Sequence, residues 1–148
     1  MTTQPTDLDG LTLLGRDAKP SKKLETFPNR APAGRFYTVS LATDEFTCVC
    51  PATGQPDFAR ITVRYVPDQR ILESKSLKLY LWSYRNEGVF HEHVVNRILD
   101  DLQGVLDAHW IEVVGAFHVR GGIAITVTVS AEKTAGAKSA AQVASRQD

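Results

Sequence analysis

Apolar residues recur at helical spacing from Phe90 through Val94, Val95, Ile98, Leu99, Leu102 and Val105 to Leu106. A stripe of that width commits the segment to a helix with one buried face, and the rest of the chain must supply a surface to cover it. On both sides the period falls to two, the signature of strands. Ile61, Val63 and Tyr65 alternate with Arg60, Thr62 and Arg64. A strand begins earlier at Phe36, where Tyr37, Val39 and Leu41 alternate with Phe36, Thr38 and Ser40, and it runs to Cys50. Later strands span Trp110 to Phe117 and Gly122 to Ser130. Before the long helix, Ser74 is a candidate N-cap for a shorter one carrying Leu77, Leu81 and Tyr80 or Tyr84, closed by Gly88.

The expected order is ββααββ, an α+β fold with an antiparallel four-stranded sheet and two helices on one face. Such a sheet leaves two edges open, which predicts association into a multi-subunit, barrel-like homo-oligomer. The domain is expected over 34–131, between a mobile arm over 1–33, which holds four of the seven prolines, and a disordered tail over 132–148 rich in Ala, Lys and Ser. Net charge is zero, so nothing draws the chain toward nucleic acid or an anionic membrane. The N-terminus reads as no signal peptide, no apolar run approaches ~20 residues, and two cysteines make no disulfide framework. Those features predict a cytoplasmic protein.

The stretch Phe46–Phe58, FTCVCPATGQPDF, has the composition of a site. Pro51 biases Cys50 toward extended geometry at a strand end, and Gly54 with the prolines makes an ordered turn that can return Asp57 toward Cys50. A thiol and a carboxyl so placed form a candidate nucleophile and proton donor, although a structural role for the pair also fits. Cys48, Cys50, His91 and His93 suggest zinc by composition, but two histidines two apart at a helix start diverge. Lys75 and Lys78 share a helix face beside Ser74, and Arg120 precedes Gly121 and Gly122. Together they suit a phosphorylated ligand, or form a solvated basic face. Glu73 and Glu92 stand at helix beginnings, where they either grip a guanine-like N–H edge or merely favour the helix dipole. His91 is either a candidate for proton transfer near neutral pH or a capping or surface histidine.

CPATGQPDF (Cys50–Phe58), ESKSLKLY (Glu73–Tyr80), FHEH (Phe90–His93) and VRGG (Val119–Gly122) together closely resemble the NADPH-dependent 7-cyano-7-deazaguanine reductases, QueF, of the short single-domain type. The resemblance covers Phe46 to Val129. It implies a tunnelling fold shared with GTP cyclohydrolase I, with subunits forming barrels and sites between them. It also implies reduction of the nitrile of 7-cyano-7-deazaguanine to 7-aminomethyl-7-deazaguanine for queuosine in tRNA, using two NADPH and no metal. By the same resemblance Cys50 forms a covalent thioimide, Asp57 donates a proton and His91 handles a second. Leu72, Glu73, Ser74, His91 and Glu92 then line the substrate pocket, while Ser74, Lys75, Lys78, Arg120 and Gly121 hold NADPH. Two other readings remain at this point: a zinc-dependent cyclohydrolase on the same fold, and a module that binds a deazapurine or pterin without turnover.

Overall fold

A computed structural model describes residues 17–139 together with Thr2, Gln4, Thr6 and Asp9. Its elements run β1 (Thr26–Pro28), β2 (Val39–Val49), β3 (Pro56–Val66), β4 (Arg70–Leu72), α1 (Ser74–Trp82), α2 (His91–Leu106), β5 (Trp110–Phe117) and β6 (Thr126–Glu132). The main sheet is antiparallel in the order β2-β3-β5-β6, and β1 pairs with β4 in a two-stranded ribbon. This is the mixed α+β architecture that the periodicities predict. Among the described residues, no helix is long and apolar enough to cross a membrane.

The alternation in β3 is the reason the core exists. Asp57, Ala59, Ile61, Val63 and Tyr65 are buried while Phe58 and Arg60 between them are exposed. On β5 the inward set is Ile111, Val113, Gly115 and Phe117. Against these lie Val94, Val95, Ile98, Leu99, Leu102 and Leu106 of α2 and Leu77, Tyr80 and Leu81 of α1, in one continuous cluster. Burying each large side chain contributes about 1.5–3 kcal/mol. The ends of the expected α2 stripe escape it, because Phe90 and Val105 lie at the helix margins and remain exposed. Asp107, in the left-handed region at φ 43°, ends α2, and Lys133 holds both its carboxylate and its carbonyl.

Several boundaries differ from expectation for identifiable reasons. The first long strand starts at Val39, not Phe36. Glu73, not Ser74, caps α1: its backbone is extended, and its two carboxylate oxygens accept from the amides of Lys75 (2.8 Å) and Ser76 (2.7 Å). That helix ends at Trp82, where Ser83 turns its hydroxyl back to the Tyr80 carbonyl. Gly88 therefore does not close it, and forms a parallel bridge with Val49 instead. The last strand begins at Thr126, not Gly122, since Gly121 and Gly122 both have positive φ and reverse the chain between Arg120 and Ile123.

Both flanks are more structured near the domain than expected. Within the segment expected as an arm, β1 pairs with β4 and Lys22 sits over the Tyr84 ring while pairing with Glu87. The remainder of that arm, apart from four isolated residues, lies outside the described residues. At the other flank Ala137 packs on Val66 and Trp110, and residues 140–148 lie outside the described residues.

Gly115 is where α2 meets the sheet most closely. A Cβ there would lie 2.6 Å from Val95 Cγ2 and 3.2 Å from Phe117 Cε2. Gly115→Ala should thus lose about 1–3 kcal/mol by overpacking, read as a lower midpoint in urea unfolding. An unchanged midpoint would show that α2 is free to shift.

Candidate active site

The end of β2 is held from two sides. Its neighbour β3 pairs Cys48 with Asp57 and Val49 with Pro56. From the connection between the helices, the Glu87 carbonyl accepts from the Val49 amide (3.1 Å), and the Val89 amide donates to the Val49 carbonyl (3.1 Å). Glu87 is in turn fixed by Lys22 and Arg97. Cys50 follows directly, where the chain leaves the strand for a closed turn. Its amide donates to the Gln55 carbonyl and its carbonyl accepts from the Gly54 amide, both at 2.8 Å. Gly54 has φ +69°, which a side chain would oppose, so glycine is required there.

Asp57 lies at the centre of the site, with only 7% of its surface exposed. One oxygen accepts from Arg120 Nη1 at 2.5 Å, and the other lies 3.3 Å from His91 Nε2. Arg120 also donates through Nη2 to the side-chain carbonyl of Gln55 at 2.6 Å. His91, the first residue of α2, is stacked on Phe117 with ring centroids 3.8 Å apart and planes 12° from parallel. This packing fixes the imidazole plane, so its Nε2 stays aimed at the carboxylate.

The two cysteines differ sharply. Hydrogen bonds from the Thr53 hydroxyl and then from the amides of Thr53 and Ala52 lower the Cys50 thiol, with a smaller contribution from Arg120. Burial, followed by the negative charge of Asp57, pushes Cys48 up to about 11. Of the two, Cys50 is therefore the thiol that ionises more readily.

The structure brings Asp57, His91 and Arg120 together, with Cys50 at the start of the turn whose Gln55 also accepts from Arg120. Arg120 had been expected among the cations of a phosphate site, and here it serves Asp57 and Gln55. Glu92 is exposed in the first turn of α2, next to His91. The other expected residues form a second group. Ser74, Lys75 and Lys78 line a cavity of about 840 Å³ between α1 and β2, with Thr43 and Thr47 on its far wall. Leu72 is buried, its amide donating to the Tyr65 hydroxyl. Glu73 caps α1 at the edge of that group. The two groups share no hydrogen bond or ion pair among the described residues. Among the same residues no cluster of His, Cys, Asp and Glu is arranged to hold a metal ion. Sequence reading missed Thr53 as a partner of the thiol and Phe117 as the support of His91. A turn residue and an ordinary strand residue carry no periodic signal for such roles.

These environments predict that one thiol per chain reacts with a disulfide reagent in the folded protein at neutral pH, and two after denaturation. Peptide mapping should place the first label on Cys50. Equal labelling of Cys48 would contradict the burial difference.

Comparison with known proteins follows the same lines. A family model described as QueF-like protein matches residues 56–136. A protein of Syntrophus aciditrophicus is 62% identical over 93% of this chain and 97% of its own length. Relatives from Anaeromyxobacter sp. strain K (60%, covering 80% of this chain and 97% of theirs) and Thermomicrobium roseum (59%, 79% and 91%) are similar over the domain. All three are named NADPH-dependent 7-cyano-7-deazaguanine reductase. Among solved structures, the apo form of the archaeosine synthase QueF-Like superposes with a TM-score of 0.61 at 22% identity. That match covers 69% of this chain and 96% of the other, and it speaks to the fold. By its matched domain and its relatives alike, the chain belongs to the QueF family.

Proposed function

We propose that this chain reduces 7-cyano-7-deazaguanine to 7-aminomethyl-7-deazaguanine with NADPH, as its relatives' names indicate for them, in the biosynthesis of queuosine for tRNA. The observation that carries the reading is the register that sets buried, His91-paired Asp57 opposite Cys48, two residues before Cys50, whose thiol is lowered. A nitrile carbon is electrophilic but resists reduction until it is activated. The Cys50 sulfur attacks that carbon, a C–S bond forms, and one π pair of the C≡N bond moves to nitrogen. The nitrogen takes a proton held between Asp57 Oδ2 and His91 Nε2, giving a thioimide. Arg120 meanwhile anchors the other Asp57 oxygen, so the donor keeps its orientation. Glu92, one residue from His91, is placed to accept the N–H edge of the deazaguanine ring.

NADPH, when bound, supplies hydride, two equivalents being required to take a nitrile to an amine. The residues fit such a group: Lys75 and Lys78 line a cavity of about 840 Å³ and form no ion pair among the described residues, leaving both charges for phosphates. The cavity is lined by α1, β2 and β3 and by none of Cys50, Asp57, His91 or Arg120, and the sheet edges β2 and β6 have no partner strand among the described residues. We read the working site as shared between subunits of a homo-oligomeric barrel, with Glu73, Ser74, Lys75 and Lys78 of one copy facing Cys50, Asp57, His91 and Glu92 of the next. The zinc cyclohydrolase reading would need a cluster of metal ligands, and the described residues hold none.

Intact-protein mass spectrometry after mixing with 7-cyano-7-deazaguanine, without NADPH, should show one substrate mass per chain in wild type and none in Cys50→Ala. Failure of the wild type to gain that mass under reducing conditions would overturn the covalent reading. Sharing of the site has its own test. Co-expressed Cys50→Ala and Lys78→Ala chains, each inactive alone, should regain about a quarter of wild-type NADPH oxidation through random mixing. No recovery would mean that one chain supplies both groups.

A further inference from the structure

Gln55, Pro56 and Asp57 lead into β3, and alternation along an extended chain turns residues two apart to the same side. Pro56 between them pairs with Val49 and has a fixed φ, which stiffens the step. Gln55 and Asp57 thereby offer two oxygens to one guanidinium. Arg120 donates through Nη2 to Gln55 Oε1 at 2.6 Å and through Nη1 to Asp57 Oδ1 at 2.5 Å. The backbone carbonyl of the same Gln55 accepts from the Cys50 amide at 2.8 Å. Gln55 is thus bonded on one side to the residue that carries the nucleophile and on the other to the cation that anchors the proton donor. We propose that Gln55 is a positioning residue of the reaction, its side chain holding the Arg120 fork so that Asp57 and the Cys50 turn keep one fixed separation. This rests on the covalent reading given above and adds a residue that the reading does not itself use.

The physical argument concerns distance. As the C–S bond forms at the nitrile carbon, a π pair moves to nitrogen and the nitrogen takes its proton. Carbon and nitrogen are adjacent atoms, so sulfur and proton donor must be spaced to serve the two ends of one bond. A misplacement of about 1 Å in such an arrangement costs about a hundredfold in rate. The Arg120 side chain is long and 39% exposed, and a guanidinium held through one nitrogen alone is free to pivot about that bond. Gln55 takes the second nitrogen and removes the pivot. Being neutral, it does so without drawing the charge of Arg120 away from Asp57. A purely structural purpose fits less well, because Gln55 is exposed and belongs to neither apolar cluster. Its side chain contributes to folding at most one exposed hydrogen bond with Arg120.

The test follows the rate of adduct formation with 7-cyano-7-deazaguanine, without NADPH, by intact mass over a range of nitrile concentrations. It compares wild type, Gln55→Leu, Arg120→Lys and the double variant. Leucine removes the side-chain acceptor and keeps the backbone carbonyl that receives the Cys50 amide. Gln55→Leu should lower the saturating rate about tenfold and leave the half-saturating nitrile concentration unchanged within about twofold. Alkylation of Cys50 by iodoacetamide, which needs no proton donor, should proceed at the wild-type rate in the same variant. Lysine at position 120 offers a single nitrogen in place of the fork, so in that background Gln55→Leu should cost less than about twofold further. A saturating rate equal to wild type in Gln55→Leu would overturn the proposal. So would an equal loss in alkylation, or the same tenfold loss in the Arg120→Lys background. A wild type that gains no nitrile mass would instead remove the covalent reading, and this proposal with it.

Discussion

A carboxylate buried to 7% exposure has to be compensated, and the way Asp57 is compensated organises the functional end of this fold. Leaving such a charge without its partner costs about 3–5 kcal/mol, comparable to a large part of a domain's net stability. The partners come from separate elements: Arg120 from the turn between β5 and β6, and His91 from the first turn of α2. The register of β3 against β2 then sets Asp57 beside Cys48, one step from the strand end where Cys50 emerges. Folding and site assembly are here the same event. The apolar alternation of β3 that builds the core also turns Asp57 inward, since it occupies the same face as Ala59 and Ile61.

The second group of expected residues follows different physics. Glu73 spends both carboxylate oxygens on the amides that open α1, so its first duty is to the helix. Lys75 and Lys78 stay unpaired among the described residues and face a cavity walled by β2. A strand with one free edge beside a cationic cavity is what the proposed sharing of the site between copies would use.

The elements with a clean period were the legible ones. β5 was read to the residue, and α2 was recognised by its stripe, because burial on one face leaves a mark at every turn. Punctuation was harder. Gly88 looks like a helix end, yet Ser83 had already ended α1 through its own hydroxyl, and local hydrogen bonding of that kind has no periodic trace. The strand at Thr26–Pro28 was missed because three residues cannot show an alternation; its pairing depends on β4, distant in sequence. At the candidate site, Cys50, Asp57 and His91 stood out in the sequence by residue type, and the structure sets His91 against Asp57. The Phe117 support and the Arg120–Asp57 pair did not stand out, because both depend on three-dimensional neighbours.

Cys48 and Cys50 show how little sequence distance is needed to separate two thiols. They stand two residues apart, Cys48 opposite Asp57, and an alternating strand would set them on one face. But β2 ends at Val49, and Pro51 and Gly54 take Cys50 into a turn with its amides exposed to the sulfur. Cys48 stays in the ladder, where its own backbone groups are spent on the sheet and burial beside a negative charge keeps it protonated. A thiolate at Cys48 would set two anions side by side in the core. The neutral thiol instead packs as a small apolar group with Phe46 and Ala59. The chemical difference between the cysteines thus arises from where the strand stops. Any change that lengthened β2 by two residues, drawing Cys50 into the ladder, would remove the donors from its sulfur while leaving every neighbouring charge in place.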